Sequence, residues 1–148
     1  MKIRIELNNE DVKELILDSC CNGGLQSLAY SGIRIDWDNH INNRNYKLAK
    51  ELLVKENPEK TFCYEDVLIK VILDNGVYFK DYEGYEDDEL FHFTFDMAKD
   101  NLQKALDKDD DGSLAKIIHK IIPEYNDADG YDYDVIMQTA MYGELTYS

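Results

Sequence analysis

Apolar and charged positions alternate through Met1-Lys2-Ile3-Arg4-Ile5-Glu6-Leu7, which puts Ile3, Ile5 and Leu7 on one face and predicts a half-buried strand over 2–7. The pattern then changes period. Val12, Leu15, Ile16 and Cys20 recur at helical spacing behind Asn9, a good cap, and behind Glu10 and Asp11, acids suited to a helix N-terminus. Gly23-Gly24 should stop that helix, because a glycine adopts positive φ without penalty. Alternation returns in Gly32-Ile33-Arg34-Ile35-Asp36-Trp37, a second strand closed by a turn at Asp38-Asn39, with Trp37 half-buried at its end.

From Asn45, the positions Tyr46, Ala49, Leu52 and Leu53 predict a helix up to Asn57-Pro58, where the proline restricts the residue before it. Residues 67–79 fit two readings, since Asn75-Gly76 between apolar runs suits a hairpin turn and also a helix stop. The helix reading is preferred. Val67, Leu68, Val71 and Ile72 share one helical face, and Glu65-Asp66 sit where the positive end of the dipole favours acids. Leu90-Phe91-His92-Phe93-Thr94-Phe95 alternates as a strand, followed by helical spacing of Met97, Ala98, Leu102, Ala105 and Leu106. Leu114, Ile117, Ile118, Ile121 and Ile122 predict another helix, stopped by Pro123. A last helix follows, capped by Asp132 or Asp134, carrying Val135, Ile136, Thr139 and Ala140 and ending at Gly143, before a short strand over 144–147.

Strands scattered among helices, without regular βαβ alternation, predict an α+β fold with a small antiparallel sheet covered by several amphipathic helices. The 148 residues contain no repeat and no Gly/Ser/Pro linker, so one domain over 1–148 is expected. The opening residues lack the apolar stretch of a signal peptide and no apolar run approaches the length of a membrane span, so a cytoplasmic protein is expected. Cys20, Cys21 and Cys63 form no Cys-x-x-Cys pair. They read as reduced, mostly buried small hydrophobes, with neither a disulfide framework nor a zinc site.

Charge changes the picture. The chain carries 31 acidic against 16 basic side chains, net −15. Such a field repels nucleic-acid phosphates and anionic membrane and favours a basic partner. The acids are concentrated: residues 81–90, 107–112 and 124–134 hold 15 of them against one base, net −14, so the other 121 positions carry only −1. Tyrosines interleave two of these segments, and tyrosine supplies contact area at low entropic cost. The candidate partner-binding set is therefore Glu83, Tyr85, Glu86, Asp87, Asp88, Glu89, Asp109, Asp110, Asp111, Asp129, Tyr131, Asp132 and Tyr133. The acids would imitate phosphates in a Lys/Arg groove and the tyrosines would pack on its apolar parts. The plainer reading of each segment is a solvated loop.

Other chemistry is thinly represented. Asp107-Lys108-Asp109-Asp110-Asp111-Gly112 matches the first half of a calcium loop, making Asp107, Asp109 and Asp111 a weak metal candidate. The bidentate Glu required at position 12 is replaced by Ile118. His40, His92 and His119 lie far apart, beside no nucleophile motif, and no glycine-rich phosphate loop is present. A binding protein without cofactor, rather than an enzyme, is expected. The alternative is a scaffold or calcium-binding accessory protein acting through the same loops.

Two stretches carry a resemblance. Ile5-Glu6-Leu7-Asn8-Asn9-Glu10-Asp11-Val12 running to Gly23-Gly24, and Asp132-Tyr133-Asp134-Val135-Ile136-Met137-Gln138-Thr139-Ala140-Met141-Tyr142-Gly143-Glu144-Leu145, resemble segments of small acidic proteins encoded by phages and prophages. They cover about a quarter of the chain and are structural rather than catalytic, so they assign no active site. The resemblance implies a phage setting, hence the host bacterial cytoplasm, and an inhibitor of host nucleic-acid machinery of the anti-CRISPR type; the scaffold or calcium-binding alternative would then be a phage accessory protein. The partner so implied is a basic nucleic-acid-binding protein, with a Cas effector as the specific instance.

Overall fold

The computed structural model describes residues 4–82, 90–122 and 127–145. Among them the fold is α+β: seven helices and one three-stranded antiparallel sheet. The chain divides into two compact units, Met1–Leu28 with Asp96–Ser148, and Ala29–Phe95.

The first unit is helical. Helix α1 (Asn9–Cys21) buries Val12, Leu15, Ile16 and Cys20, the stripe its spacing demands. Its cap is Asn8, one residue earlier than the sequence suggested: Asn8 accepts from the Asp11 amide at 2.8 Å, and Asp11 accepts from the Asn8 amide at 3.1 Å. The chain turns at Gly23 with φ 100° and immediately re-enters helix as α2 (Gly24–Tyr30), which the paired glycines did not suggest. Helix α5 (Phe95–Asp107) presents Ala98, Leu102 and Leu106 to the interior. Helix α6 (Ser113–Ile121) follows and buries Leu114, Ile118 and Ile121. Helix α7 (Gly130–Tyr142) buries nine of its thirteen residues and packs on α1. It starts earlier than expected because Asp129, not Asp132 or Asp134, caps it. Gly143 ends it at φ 82°.

Two expected strands are not formed among the described residues. Residues 4–8 run extended without joining a sheet, since the Leu7 amide donates to Gln103 Oε1 at 2.9 Å and Gln103 Nε2 donates to the Ile5 carbonyl at 2.8 Å. One glutamine on α5 thus satisfies backbone groups that a strand would have given to a neighbour. Glu144 and Leu145 are likewise not strand, and 146–147 lie outside the described residues.

The second unit holds the sheet, ordered β1 (Ile33–Ile35), β2 (Val77–Asp81), β3 (Leu90–Phe93). The register pairs Ile35 with Phe79 and Val77 with Phe93. Ile33, Ile35, Val77, Phe79 and Phe93 form the buried face, and Arg34, Tyr78, Lys80 and His92 lie on the other. Helix α3 (His40–Glu56) begins five residues before Asn45, because Asn39, which closes the expected turn by donating to the Asp36 carbonyl at 3.2 Å, also caps the helix, accepting from the Ile41 and Asn42 amides. Helix α4 (Tyr64–Asp74) packs on α3 and buries Val67, Leu68, Ile69, Val71 and Ile72. Asn75-Gly76 is a helix stop: Gly76, at φ 77°, donates its amide to the Val71 carbonyl at 2.8 Å and turns the chain into β2. A Cβ there would lie 2.7 Å from His92 Nε2 and 2.9 Å from the Phe93 carbonyl oxygen, so only glycine fits.

The cysteines divide. Cys20 is buried as expected, whereas Cys21 and Cys63 are exposed. Cys63 precedes α4, and both its amide and its thiol lie 3.2 Å from the Asp66 carboxylate. The Asp66 amide favours the thiolate most strongly, but the Asp66 carboxylate, burial and Glu65 together outweigh it, and the thiol pKa is raised. Trp37 is half-buried as expected, edge-on to Tyr46 at 5.5 Å and to Tyr64 at 6.1 Å.

Candidate interaction surface

Two of the three acidic segments fall largely within the described residues. Glu83, Tyr85, Glu86, Asp87, Asp88 and Glu89, the richest part of the first, lie outside them.

At the end of α5, Asp107 faces Arg4. The guanidinium donates through Nε to Oδ1 at 3.1 Å and through Nη2 to Oδ2 at 3.2 Å, and Gln103 Nε2 donates to Oδ1 at 3.1 Å. The Arg4 hydrogen bond, aided by Gln103, holds the Asp107 pKa below the usual carboxylate range, and raises that of Arg4. Asp109, two residues on, points at the start of α6. Its carboxylate accepts from the Leu114 amide at 3.2 Å, the Ala115 amide at 3.0 Å and the Ser113 hydroxyl at 3.4 Å. Asp111 accepts from the Ser113 amide at 3.0 Å, which lowers its pKa. The half-motif of a calcium loop is thus a helix-entry device: Asp107 is engaged by a cation of this chain, and Asp109 and Asp111 by α6. No group of three or more His, Cys, Asp or Glu is placed to hold a metal ion among the described residues. Asp110 is exposed.

The third segment is built on the same principle. Asp129 accepts from the Asp132 amide at 3.0 Å, and Asp132 accepts from the Asp129 amide at 3.0 Å. Asp129 remains exposed while Asp132 is only 3 % exposed, with Lys120 Nζ 3.4 Å from its Oδ2. Tyr133 is 6 % exposed, and burial, reinforced by the negative charges of Asp18 and Asp132, pushes its hydroxyl pKa up. Asp132 and Tyr133 therefore leave the partner-binding set: the helix entry and its packing use both. Tyr131, on the opposite side of the first turn, is 61 % exposed.

The described members still facing solvent are Asp110, Asp111, Asp129 and Tyr131, with Asp109 half-buried. Asp127, also exposed, belongs with them although the sequence gave no reason to choose it over its neighbours. Carboxylates fixed by backbone donors present charge at defined points, which suits recognition of cations on a partner. The Asp-x-x-Asp spacing of 129–132 was a legible capping box. The Arg4 contact, spanning 103 positions, had no local signal.

A cleft of about 410 Å³ adjoins this surface, lined by Ile5, Leu106, Gly112 and Ala115 and by the Arg4–Asp107 pair. Arg4 is engaged by Asp107 and Glu6, which leaves the cleft poorly suited to a phosphate. No helix of the described residues is long and apolar enough to cross a membrane. No protein-family model matches this chain, and no curated protein or solved structure is significantly similar to it.

Proposed function

We propose that this protein is a non-enzymatic inhibitor that covers a positively charged, nucleic-acid-binding surface of another protein with its acidic segments. The observation that carries this reading is the confinement of nearly all the net charge, −14 of −15, to three short segments. A merely solubilising charge has no need of such confinement. The preorganised Asp109 and Asp111 at the entry of α6, and Asp129 with the exposed Tyr131 at the entry of α7, support it, since fixed carboxylates and an aromatic anchor lose little entropy on docking. Binding would release counterions from the partner's groove as phosphates do. In the setting that the phage resemblance implies, the partner is a bacterial defence complex and a Cas effector its specific form.

The test uses tagged protein and a bacterial lysate at about 0.1 M and about 0.5 M salt, where the Debye length falls from about 10 Å to about 4 Å. The expected result is salt-sensitive recovery of a nucleic-acid-binding complex, which added DNA or RNA displaces. A folded variant carrying Asp110→Lys, Asp111→Lys, Asp127→Lys and Asp129→Lys should recover much less of it. Undiminished recovery with that variant refutes a role for these carboxylates.

A further inference from the structure

The dipeptide Asn-Gly occurs twice in this chain, at Asn22-Gly23 and Asn75-Gly76, and the asparagine is the C-cap of a helix both times, of α1 and of α4. In Asn-Gly the backbone nitrogen of the second residue reaches the side-chain carbonyl carbon of the first with least hindrance, because glycine has no Cβ. Closing that ring requires the peptide unit between the two residues to turn about the asparagine ψ bond. The two sites differ in whether it is free to turn.

At Asn75 the peptide unit is held from both sides. Its carbonyl accepts from His92 Nε2 at 3.0 Å, and its N–H, on Gly76, donates to the Val71 carbonyl at 2.8 Å. Gly76 is also crowded, since a Cβ there would lie 2.7 Å from His92, 2.9 Å from Phe93 and 3.0 Å from Thr94. At Asn22 neither the backbone carbonyl nor the Gly23 N–H is hydrogen-bonded among the described residues. A Cβ on Gly23, at φ 100°, would meet nothing within 4 Å. Asn22 is exposed, and its side chain is engaged only through Nδ2, which donates to the Asp18 carbonyl at 2.7 Å and leaves Cγ open to attack. Asp111-Gly112 and Asp129-Gly130 offer ionised carboxylates, poorer electrophiles than an amide, and both carboxylates accept from backbone amides.

We propose that Asn22 is a site of spontaneous deamidation. The Gly23 nitrogen bonds to Asn22 Cγ, the Cγ–Nδ2 bond breaks, and Nδ2 leaves as ammonia with the proton given up by Gly23, which forms a succinimide. Water then opens the ring at either carbonyl, giving Asp where the new bond to Gly23 breaks, or isoaspartate where the original peptide bond breaks. Both products carry a carboxylate at the negative end of α1, take the net charge from −15 to −16, and lose the Nδ2 bond to the Asp18 carbonyl. Isoaspartate also adds a methylene to the backbone between α1 and α2. The turn from α1 into α2 therefore loosens as the chain ages, independently of any partner of the acidic segments.

The full chain is incubated at body temperature in mildly alkaline buffer, folded and, in parallel, in guanidinium. Mass analysis of digests reads the exchange of amide for acid at each asparagine, and enzymatic methylation of the free carboxylate reads isoaspartate. Folding should slow Asn75 about tenfold or more beyond any slowing at Asn22, because two hydrogen bonds must open before the Asn75 peptide unit can turn. Asn22→Gln should remove the Asn22 reaction, and Asn22→Asp should lower the unfolding midpoint in the direction taken by the aged chain. Equal rates at the two sites in the folded chain, faster reaction at Asn75, or reaction at Asn22 only in guanidinium overturns the proposal. An Asn22→Asp chain and an aged chain both as stable as the fresh protein overturn the loosening of the turn.

Discussion

The side chain of Gln103 holds the backbone on either side of Glu6, donating to the Ile5 carbonyl at 2.8 Å and accepting from the Leu7 amide at 2.9 Å. A neighbouring strand would offer the same pair of bonds, so an extended segment is fixed without any sheet. Asn101, two residues earlier on α5, donates to the Ala140 carbonyl at 2.8 Å near the end of α7. Within this unit, α5 therefore anchors both a terminal stretch and another helix through side-chain amides.

Gln103→Leu should cost about 1 to 3 kcal/mol, because it removes two hydrogen bonds and leaves backbone groups at Ile5 and Leu7 without partners. Urea unfolding measures the loss. Hydrogen exchange at the Leu7 amide should accelerate more than exchange in α7, which separates a local release from general destabilisation. Unchanged Leu7 protection would contradict the anchoring role.

Asn42 does comparable work in the second unit. It is 1 % exposed, its Nδ2 donates to the Asp36 and Tyr78 carbonyls, both at 2.9 Å, and its Oδ1 accepts from the Tyr78 amide at 2.9 Å. The amide thus ties α3 to the end of β1 and to β2, with three of its hydrogen-bonding sites used. Asn42→Leu should destabilise by about 2 to 5 kcal/mol by leaving buried polar groups unpaired. Asn42→Asp should be no better, since it sets a carboxylate against two carbonyls. A shift in unfolding midpoint below about 2 °C for either variant would contradict this account.

These two amides show what a sequence reveals and what it hides. Val12, Leu15, Ile16 and Cys20 on α1, the alternation of 90–93, and the stop at Gly76 were legible because local spacing records which face is buried. Residues 2–7 carry an equally clear alternation, yet 4–8 form no strand, because strand formation depends on a neighbour's edge and here a glutamine 96 positions away from Leu7 takes its place. The acidic segments were visible as composition, but composition does not distinguish a carboxylate facing solvent from one turned into a helix entry. Asp110 and Asp132 look alike in sequence. One is exposed, and the other is buried against Asp129 and Lys120.

The Arg4–Asp107 pair gives a pH dependence with a defined sign. The folded-state pKa of Asp107 is lowered, chiefly by the Arg4 hydrogen bond, so its contribution is complete above the ordinary carboxylate range and is lost as pH falls through the lowered value. Asp111, lowered by the Ser113 amide, acts in the same direction. Thermal unfolding between about pH 5 and about pH 2 should therefore fall off less steeply for Arg4→Ala than for the unmodified chain. Both groups are exposed, so the difference should be small and should shrink further in high salt. A steeper acid fall in Arg4→Ala would reverse the assigned sign.

Gly24 provides a test of the α1–α7 packing. A Cβ built there would lie 2.6 Å from Met137 Cγ and 2.7 Å from the Ser19 carbonyl oxygen. Met137 is flexible and can yield, but the Ser19 oxygen belongs to the α1 backbone and cannot move alone. Gly24→Ala should therefore destabilise by about 1 to 3 kcal/mol despite the higher helix propensity of alanine. Combining it with Met137→Ala should recover only part of the loss on top of the cavity cost, because the backbone contact remains. A neutral or stabilising Gly24→Ala, read by urea unfolding, would show that α2 moves away from α1 at no cost.

The acidic segments separate into structural and surface carboxylates, and stability measurements should show the division before any partner is known. Asp132 is buried, accepts from the Asp129 amide and lies 3.4 Å from Lys120 Nζ. Asp132→Ala should cost about 1 to 3 kcal/mol by opening the capping box and leaving the Asp129 amide unpaired. Asp110→Ala and Asp127→Ala change exposed residues and should stay within about 0.5 kcal/mol, or stabilise slightly by relieving repulsion in a chain of net charge −15. Asp129→Ala should fall between them, because its carboxylate caps α7 while facing solvent. If Asp132→Ala proved neutral, the burial that removes it from the interaction surface would be wrong, and the third segment would regain it as a contact. If Asp110→Ala or Asp127→Ala proved strongly destabilising, these acids would be structural too, and the surface left to meet a basic partner would contract to Asp111, Asp129 and Tyr131.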